Sequence, residues 1–416
     1  MIRKSLLVAA LAIVPMLAGT AVAVPPVNAP ASDTFMLDGQ VRSLGVAGAN
    51  VWMGGKFATV LDGNGQAAYA GDNVAVMTQN GVGLDIAPDV NGMVWDLWVD
   101  GTTVYIAGAF TSVGGQARSN LAAIDGQTGA VLPFAASSPK LKSVAVVGSV
   151  VYAGGKDLRA YTLTGSKLGG WVAPRAVIDP AIRGGRSNQG SFRDLTPGGG
   201  WIMAACQCDS VTRGGVTHAT KAVIKVDPST GALAAWTPTE LQPSSAAMGR
   251  DVLVANNSVY AAIGGSDFIA RYDLATGNPI WKVDTNGSAQ ALAMMGSDLV
   301  VGGHFRWVAG GGATSCSNNT VCIYQPKLVA ADALTGAIDH HTEQTSVGAR
   351  KLADWDPAFC CEYNGIWTLA ADGQGDLWVG GQYTKVGTAW DPARMIVDVT
   401  PKAFNITTQR YVAELS

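Results

Sequence analysis

Polar and aromatic side chains recur at one position along this chain, in short strands that each come just before a glycine-rich stretch. They supply cations, carboxylates, an amide and indole rings, which bind ligands through charge, hydrogen bonds and stacking. No serine, histidine and aspartate set for nucleophilic catalysis is recognisable. The pattern therefore favours recognition over covalent chemistry. The recurring residues are Arg42, Trp95, Asp96, Lys142, Asp194, Gln290, Trp367 and Thr368.

Copies of one short unit must position these side chains. Residues 104–129, VYIAGAFTSVGGQARSNLAAIDGQTG, contain two apolar strands, a glycine turn and a closing D-x-x-T-G turn. Aspartate accepts backbone N–H groups within its own turn, and glycine tolerates positive φ. Two strands of this size cannot bury a core alone, so we expect the copies to stack.

The strand-plus-glycine signature occurs seven times, at steps of 38 to 78 residues. Periods of roughly 40–50 residues with several short strands are typical of β-propeller blades. The sequence therefore predicts an all-β fold, a single β-propeller of about seven blades. The markers of the signature are Gly55, Gly108, Gly155, Ala205, Gly265, Gly303 and Gly381.

In such a ring the strand before each signature is the innermost, so the recurring residues should line one mouth of the axial funnel. One interpretation is that these residues bind a ligand there; the other is that they form the polar lining of a water-filled channel. We also expect the apolar run Phe35–Leu37 to close the ring by strand exchange, pairing with the last blade, a place for which residues 404–415 compete.

The segment GAFTSVGGQARSNLAAIDGQTGAVLPF, residues 108–134, resembles the delta-sixty type of propeller repeat. This repeat belongs to uncharacterised secreted bacterial proteins and is similar to the repeats of fungal cell-surface cortical markers. The resemblance extends over most of residues 41–399, although one repeat alone carries the full motif. It implies a propeller and an extracellular setting, and it implies no reaction.

The first residues have the features of an export signal. Arg3 and Lys4 precede the apolar run Leu6–Leu17, and small residues end at Ala23. We predict cleavage there and a secreted product without a membrane span, since no later segment has the about 20 apolar residues that a spanning helix needs. The predicted organisation is a signal peptide at 1–23, a Pro- and Ala-rich linker at 24–33 and the propeller at 34–416.

Composition limits the partners. Charged residues make up 14% of the chain, 52 residues are glycine and the net charge is −3, so no overall field would recruit nucleic acid or anionic lipid. The sequence predicts a binding scaffold whose partner is a cell-envelope glycan or protein. The alternative is an extracellular enzyme, either quinone-dependent or acting on carbohydrate, with its site at the funnel mouth.

Six cysteines in an exported chain are expected to be oxidised. They permit fifteen connectivities, and the sequence selects none. Three local bridges are the first arrangement to consider; a bridge from Cys206 or Cys208 to the later adjacent pair is the second. The candidates are Cys206, Cys208, Cys316, Cys322, Cys360 and Cys361.

The adjacent pair Cys360-Cys361 raises the question of a cofactor. The D-x-x-T-G turns also resemble the blade motif of quinoprotein dehydrogenases, some of which hold pyrroloquinoline quinone beneath a vicinal disulfide. No Glu, Asn and Asp set can be assigned as the activating calcium site, so we predict no cofactor. The four histidines, including His340-His341, are too scattered to predict a metal site.

Overall fold

Antiparallel strands make up nearly all of the regular structure. The computed structural model describes residues 36–62, 66–79, 81–179, 190–236, 238–241, 247–309, 322–324, 327–338, 365–371, 377–382, 386–387, 406–407 and 412–415. Within these ranges the one helix is a short 3₁₀ turn, Thr239–Leu241, and no helix is long and apolar enough to cross a membrane. The predicted all-β class is confirmed.

Seven larger antiparallel sheets, numbered one to seven along the chain, account for most of the described strands. Sheets one to four contain Gln40–Ala47, Asn50–Lys56, Val74–Thr78 and Gly83–Leu84; then Met93–Asp100, Thr103–Ala109 and Leu121–Asp125; then Ser143–Val147, Val150–Gly154 and Leu158–Thr162; then Ser191–Gly198, Trp201–Gln207 and Val223–Val226. Sheets five to seven contain Met248–Ala255, Ser258–Gly264, Phe268–Asp273 and Pro279–Asp284; then Ala289–Met295, Asp298–Gly303 and Leu328–Asp332; then Ile366–Ala371, Leu377–Gly381 and Val412–Leu415.

Smaller sheets of two or three strands are built mainly from the segments that connect the second and third strands of a larger sheet. Those described are Met36–Leu37 with Thr59–Leu61 and Ala67–Ala70; Ser112–Val113 with Gln116–Ala117; Arg175–Val177 with Ser210–Arg213 and Val216–His218; Trp307–Ala309 with Cys322–Tyr324; and Val386–Gly387 with Ile406–Thr407.

The larger sheets form a closed ring through their first strands. The first strand of each sheet contacts the first strand of the next, and Ile366–Ala371 of sheet seven contacts Gln40–Ala47 of sheet one. A closed ring of antiparallel sheets around an axis is a β-propeller, so the predicted fold is confirmed. The blade count of about seven stays a prediction, because long stretches after Ile338 lie outside the described residues.

The described strands close the ring without the predicted strand exchange. Met36–Leu37 pairs with Thr59–Leu61 of the first repeat, whereas Val412–Leu415 pairs with Leu377–Gly381 in sheet seven. The expectation that the N-terminal run joins the last sheet is therefore wrong. A partner close in sequence costs less loop entropy, and Leu37 is buried there.

The glycine signature lets neighbouring sheets approach closely. A Cβ atom on Gly54 would lie 2.6 Å from Cγ1 of Val94 in the next sheet. At the point where the ring closes, a Cβ on Gly380 would lie 2.6 Å from Cγ1 of Val41. The small residues therefore mark the interface between successive sheets, which explains why the repeat carries them.

The D-x-x-T-G turns join the sheets at their outer edge. In the turn at Asp273, Oδ1 accepts hydrogen bonds from the N–H and the hydroxyl of Thr276, both at 2.7 Å, and these bonds lower the pKa of the carboxyl. The carbonyl of Asp273 accepts the indole N–H of Trp236, from the preceding repeat, at 3.1 Å. Trp281 donates in the same way to Ala333. The turns at Asp273 and Asp332 thus each anchor a tryptophan of the repeat before them.

Alanine substitutions at two glycines test this outer anchor. Gly336 and Gly48 have φ values of +73° and +63°, so alanine at either should cost about 1–2 kcal/mol of unfolding free energy. A Cβ on Gly336 would lie 2.7 Å from Cδ2 of Trp281, whereas nothing lies within 4 Å at Gly48. We expect Gly336→Ala to lose about 1–3 kcal/mol more than Gly48→Ala in urea unfolding. Equal losses would contradict the anchor.

Candidate functional site

A β-bulge interrupts the innermost strand in six of the seven larger sheets described. In sheet two, Val94 pairs with Gly108 and Asp96 pairs with Ala107, which leaves Trp95 as the extra residue. A bulge leaves one residue out of the ladder and redirects its side chain. The residues in this position are Arg42, Trp95, Arg193, Arg250, Gln290 and Trp367; in sheet three Lys142 stands directly before the strand that begins at Ser143.

The bulge residues meet in a small cavity on the axis, which we call the axial pocket. Its volume is about 100 Å³, and each of the seven larger sheets supplies one lining residue. The described residues that line it are Arg42, Trp95, Lys142, Arg193, Arg250, Gln290 and Trp367. Four are cationic and none is a carboxylate.

The structure thus brings five of the eight recurring residues that the sequence placed at the funnel mouth into one pocket. Sequence reasoning missed two others, Arg193 and Arg250. A signal was available, because both stand directly before an aspartate, as Trp95 does, and all three precede a small-residue signature by similar distances. Ligand binding in this pocket stays a prediction.

In four sheets the residue after the bulge accepts a hydrogen bond from the backbone of the next sheet, and we call these four residues the second ring. Asp96 Oδ2 accepts the backbone N–H of Val144 in sheet three at 2.7 Å. Asp251 Oδ2 accepts the N–H of Leu292 in sheet six at 2.7 Å. Ser43 and Asp194 accept from Leu97 and Val252 in the same way, at 2.8 and 3.2 Å.

Asp96 and Asp194 therefore do not line the axial pocket. The sequence pattern placed them level with Arg42 and Lys142, and this placement is wrong by one residue. Along a regular strand side chains alternate between faces, but the extra residue of a bulge breaks that alternation. Thr368 likewise follows the bulge of sheet seven and does not line the axial pocket.

Burial and mutual repulsion lower the pKa values of the cationic groups in the axial pocket. Burial, then repulsion from Arg193 and Arg250, lowers the pKa of Arg42 to about 9. Burial, then repulsion from Arg193, Arg42 and Lys140, lowers the pKa of Lys142 to about 7. The pKa of Arg193 falls to about 10 for the same reasons. The axial pocket therefore holds several positive charges close together, and each is less well solvated than it would be in water.

The two tryptophans of the pocket partly offset this cost. The Arg42 guanidinium carbon lies 3.1 Å from the ring centroid of Trp367 and 5.0 Å from that of Trp95. Lys142 Nζ lies 2.9 Å from the Trp95 centroid. A cation over an indole face gains about 0.5–2 kcal/mol. The two indole rings therefore stabilise the cations that lie over them.

The second ring has the opposite electrostatic character. Burial, and then repulsion from Asp194, raises the pKa of Asp96 to about 8. Burial also raises the pKa of Asp194, and burial with repulsion from Asp194 raises that of Asp251. At neutral pH these carboxyls hold protons more readily than usual and cannot fully neutralise the cations.

A larger groove opens from the axial pocket across sheets three to five. Its volume is about 770 Å³, and it shares Lys142, Arg193 and Arg250 with the pocket. Asp157, the one carboxylate among its described lining residues, pairs with Arg159 at 2.9 Å and with Arg175 at 3.2 Å. The cations that line the groove are Lys140, Lys142, Lys156, Arg159, Arg175, Arg193 and Arg250.

Two cysteines flank a residue that holds the groove's Arg193. The Arg193 Nε–H donates to Gln207 Oε1 at 3.0 Å, and the Sγ atoms of Cys206 and Cys208 on either side lie 2.06 Å apart. A contact between cysteines so close in sequence is of the kind expected for three local bridges. That the pair is oxidised stays a prediction. Of the remaining candidates, Cys316, Cys360 and Cys361 lie outside the described residues, and only the backbone of Cys322 is described.

The structure does not test the histidine and quinone sites considered from the sequence. His340, His341 and the adjacent cysteines lie outside the described ranges, so a quinone with calcium stays an untested alternative. In the part of the chain that the structure describes, no group of three or more His, Cys, Asp or Glu residues could hold a metal ion.

Comparisons with known proteins give weak likenesses. No family model matches the chain, and no curated protein matches it. The WD40 β-propeller domain of Doa1 has a TM-score of 0.44 at 11% identity, with 94% of this chain and 96% of that chain covered. BamB from Moraxella catarrhalis has a TM-score of 0.40 at 12% identity, with 82% and 80% covered. The computationally designed Ika8 protein has a TM-score of 0.41 at 12% identity, with 83% and 95% covered.

These likenesses carry no argument about function. The fold assignment rests instead on the strand pairing and on the closed ring described above. The resemblance to delta-sixty repeats, and the extracellular setting that it implies, stay predictions.

The raised pKa of Asp96 predicts how stability depends on pH. Between pH 3.8 and about 8 the folded protein holds a proton that the unfolded chain releases. This contribution to stability is complete below pH 3.8 and is lost as the pH rises through about 8.

Asp96→Asn cannot titrate, so it should flatten the fall in melting temperature between about pH 5 and pH 8. Asp194 and Asp251 keep part of the slope. The matched control is Asp100→Asn, an exposed residue on the same strand, which should follow the native profile. A native slope in Asp96→Asn would contradict the assignment.

Proposed function

We propose that this protein is an exported binding scaffold and that the axial pocket and the groove beside it bind an anionic ligand. One observation carries the proposal: four cationic side chains converge in a pocket with no carboxylate among its described lining residues. Buried charges in proteins are normally paired. An arrangement that keeps cations together is therefore suited to a partner that brings the opposite charge.

The energetics of the pocket support this proposal. The pKa values of Arg42 and Lys142 fall because each is buried near other cations. The positive charges of these two groups therefore destabilise the protein when no ligand is bound. Nε of Arg42 has no hydrogen-bond partner among the described residues. An anion in the pocket would supply both the missing charge and the missing acceptor.

The setting is part of the same proposal. Residues 1–23 would direct export, residues 24–33 would form a linker, and the propeller at 34–416 would act at or outside the cell envelope. A cell-envelope glycan that carries negative groups fits the charge of the site better than a neutral one. Nucleic acid is not the proposed partner, since the net charge of the chain is −3.

Sulfate binding tests the site, because sulfate does not titrate near neutral pH. With the pKa of Lys142 near 7, its charge is largely present at pH 6 and largely lost at pH 8. Calorimetry should show saturable binding that weakens about tenfold between these pH values. Lys142→Arg should lose much less affinity over this range, since the buried carboxyls of the second ring, such as Asp96 with its pKa of about 8, then supply the remaining change in charge; Lys142→Gln should bind weakly at both pH values. Absence of saturable binding would overturn the proposal.

Export is tested by the N-terminus of the secreted protein. When the full chain is expressed in a bacterial host, the medium should contain a protein that begins at Val24, as cleavage after Ala23 requires. Mass spectrometry of the intact protein measures this directly. An uncleaved chain that stays in the cells would contradict the predicted export signal.

A further inference from the structure

We infer that the axial pocket and the groove together bind one linear glycan with carboxylates on successive sugars, one carboxylate in the axial pocket and the chain along the groove. This inference rests on the proposed function, since it names the ligand class of the same site. It goes further by requiring several anionic groups on one chain.

The two cavities form one continuous site. Lys142, Arg193 and Arg250 line both, so a ligand can pass from one to the other without leaving the cationic surface. The axial pocket, about 100 Å³, has room for a single small group. The groove, about 770 Å³, lies within the roughly 300–1,000 Å³ that hold larger ligands. The sizes match an end group and the chain behind it.

The groove runs outward across sheet three. Lys142 precedes the innermost strand, Lys156 follows the second, and Arg159 lies on the third. Arg175 pairs across from Asp157, beyond the third strand. Neighbouring strands are about 4.8 Å apart, so three spacings place the backbones of Lys142 and Arg175 roughly 14 Å apart. While one carboxylate occupies the axial pocket, a second is therefore needed for the outer end of the groove.

The outer cations are oriented for planar anions. Asp157 accepts a hydrogen bond from Arg159 and forms an ion pair with Arg175, which leaves each guanidinium group with other N–H donors. The planar guanidinium fork matches a carboxylate in a bidentate manner. One aspartate for two arginines also leaves a net positive charge at the outer end of the groove.

The surface between the cations suits sugar rings. Pro139, Leu141 and Met248 line the groove among the charged residues and offer apolar contact. Its described lining residues include no aromatic side chain, on which the bases of a single-stranded nucleic acid would stack. The concave shape does not suit a flat membrane surface. A carboxylated glycan therefore fits the groove better than these other polyanions.

Calorimetry with galacturonic acid and its α-1,4-linked trimer tests the inference, using the full protein at fixed ionic strength. A second carboxylate that reaches the outer cations should make the trimer bind about 30- to 100-fold more tightly than the monomer. The double variant Arg159→Gln and Arg175→Gln should lower trimer affinity at least tenfold and leave monomer affinity within twofold.

Two further variants guard against misfolding and unspecific charge effects. Arg175 is about half exposed, so Arg175→Gln alone should fold and should lower trimer affinity by a smaller factor. Lys167→Gln removes an exposed cation beyond the far end of the third strand of sheet three, away from the groove, and should leave both affinities unchanged.

Each outcome separates the inference from the proposed function. Equal affinities for monomer and trimer, or a double variant with native trimer affinity, would overturn the inference while sulfate binding still supports an anion site. Tighter binding of tripolyphosphate or of a single-stranded DNA oligonucleotide than of the trimer would overturn the glycan class. If neither sugar nor sulfate binds, the proposed function fails as well.

Discussion

One extra residue in the innermost strand of a sheet decides what the ring presents at its axis. In a regular strand, neighbouring side chains lie on opposite faces of the sheet. The bulge gives two successive residues different tasks: Trp95 lines the axial pocket, while Asp96 bonds to the backbone of the next sheet. Where a polar residue follows the bulge, the lining of the axial pocket and the hydrogen bond to the next sheet are thus encoded at adjacent positions of the repeat.

Close packing around the ring makes this arrangement possible. Glycine at positions such as Gly54 and Gly380 admits an apolar side chain of the next sheet, so the inner strands come close enough for hydrogen bonds from sheet to sheet. At the outer edge, the D-x-x-T-G turns hold tryptophans of the preceding repeat. Contacts at both edges hold the inner strands in place although the cations of the axial pocket repel one another.

Much of this architecture could be predicted from the sequence, because it depends on local residue types. Gly55 and its counterparts mark strands, and Asp125 and Asp273 mark turns, by preferences that act within a few residues. The ring follows since such small sheets must stack. The strand exchange could not be predicted correctly, because Met36–Leu37 had two possible edges and the pattern does not rank them.

The site was predictable only in part. Arg42, Lys142 and Trp367 are chemically conspicuous at similar distances before a glycine signature, so the pattern finds them. Arg193 was missed because Asp194 fits the same pattern one residue later, and no residue was selected from the strand that contains Arg250. A shift of one residue at a bulge changes which side chain reaches the axis, and the aspartate that follows the bulge residue marks this shift in only three sheets. The groove depends on loops from several sheets, so it becomes visible only in three dimensions.

Fluorescence quenching measures most directly whether the bulges gather cations and indoles at one mouth. The signal of Trp95 and Trp367 is obtained by subtracting the spectrum of the variant Trp95→Phe, Trp367→Phe from that of the native protein. Because cations lie against both rings, iodide should quench this difference signal at least about threefold more efficiently than caesium at low ionic strength. Equal quenching by the two ions would contradict the cationic mouth.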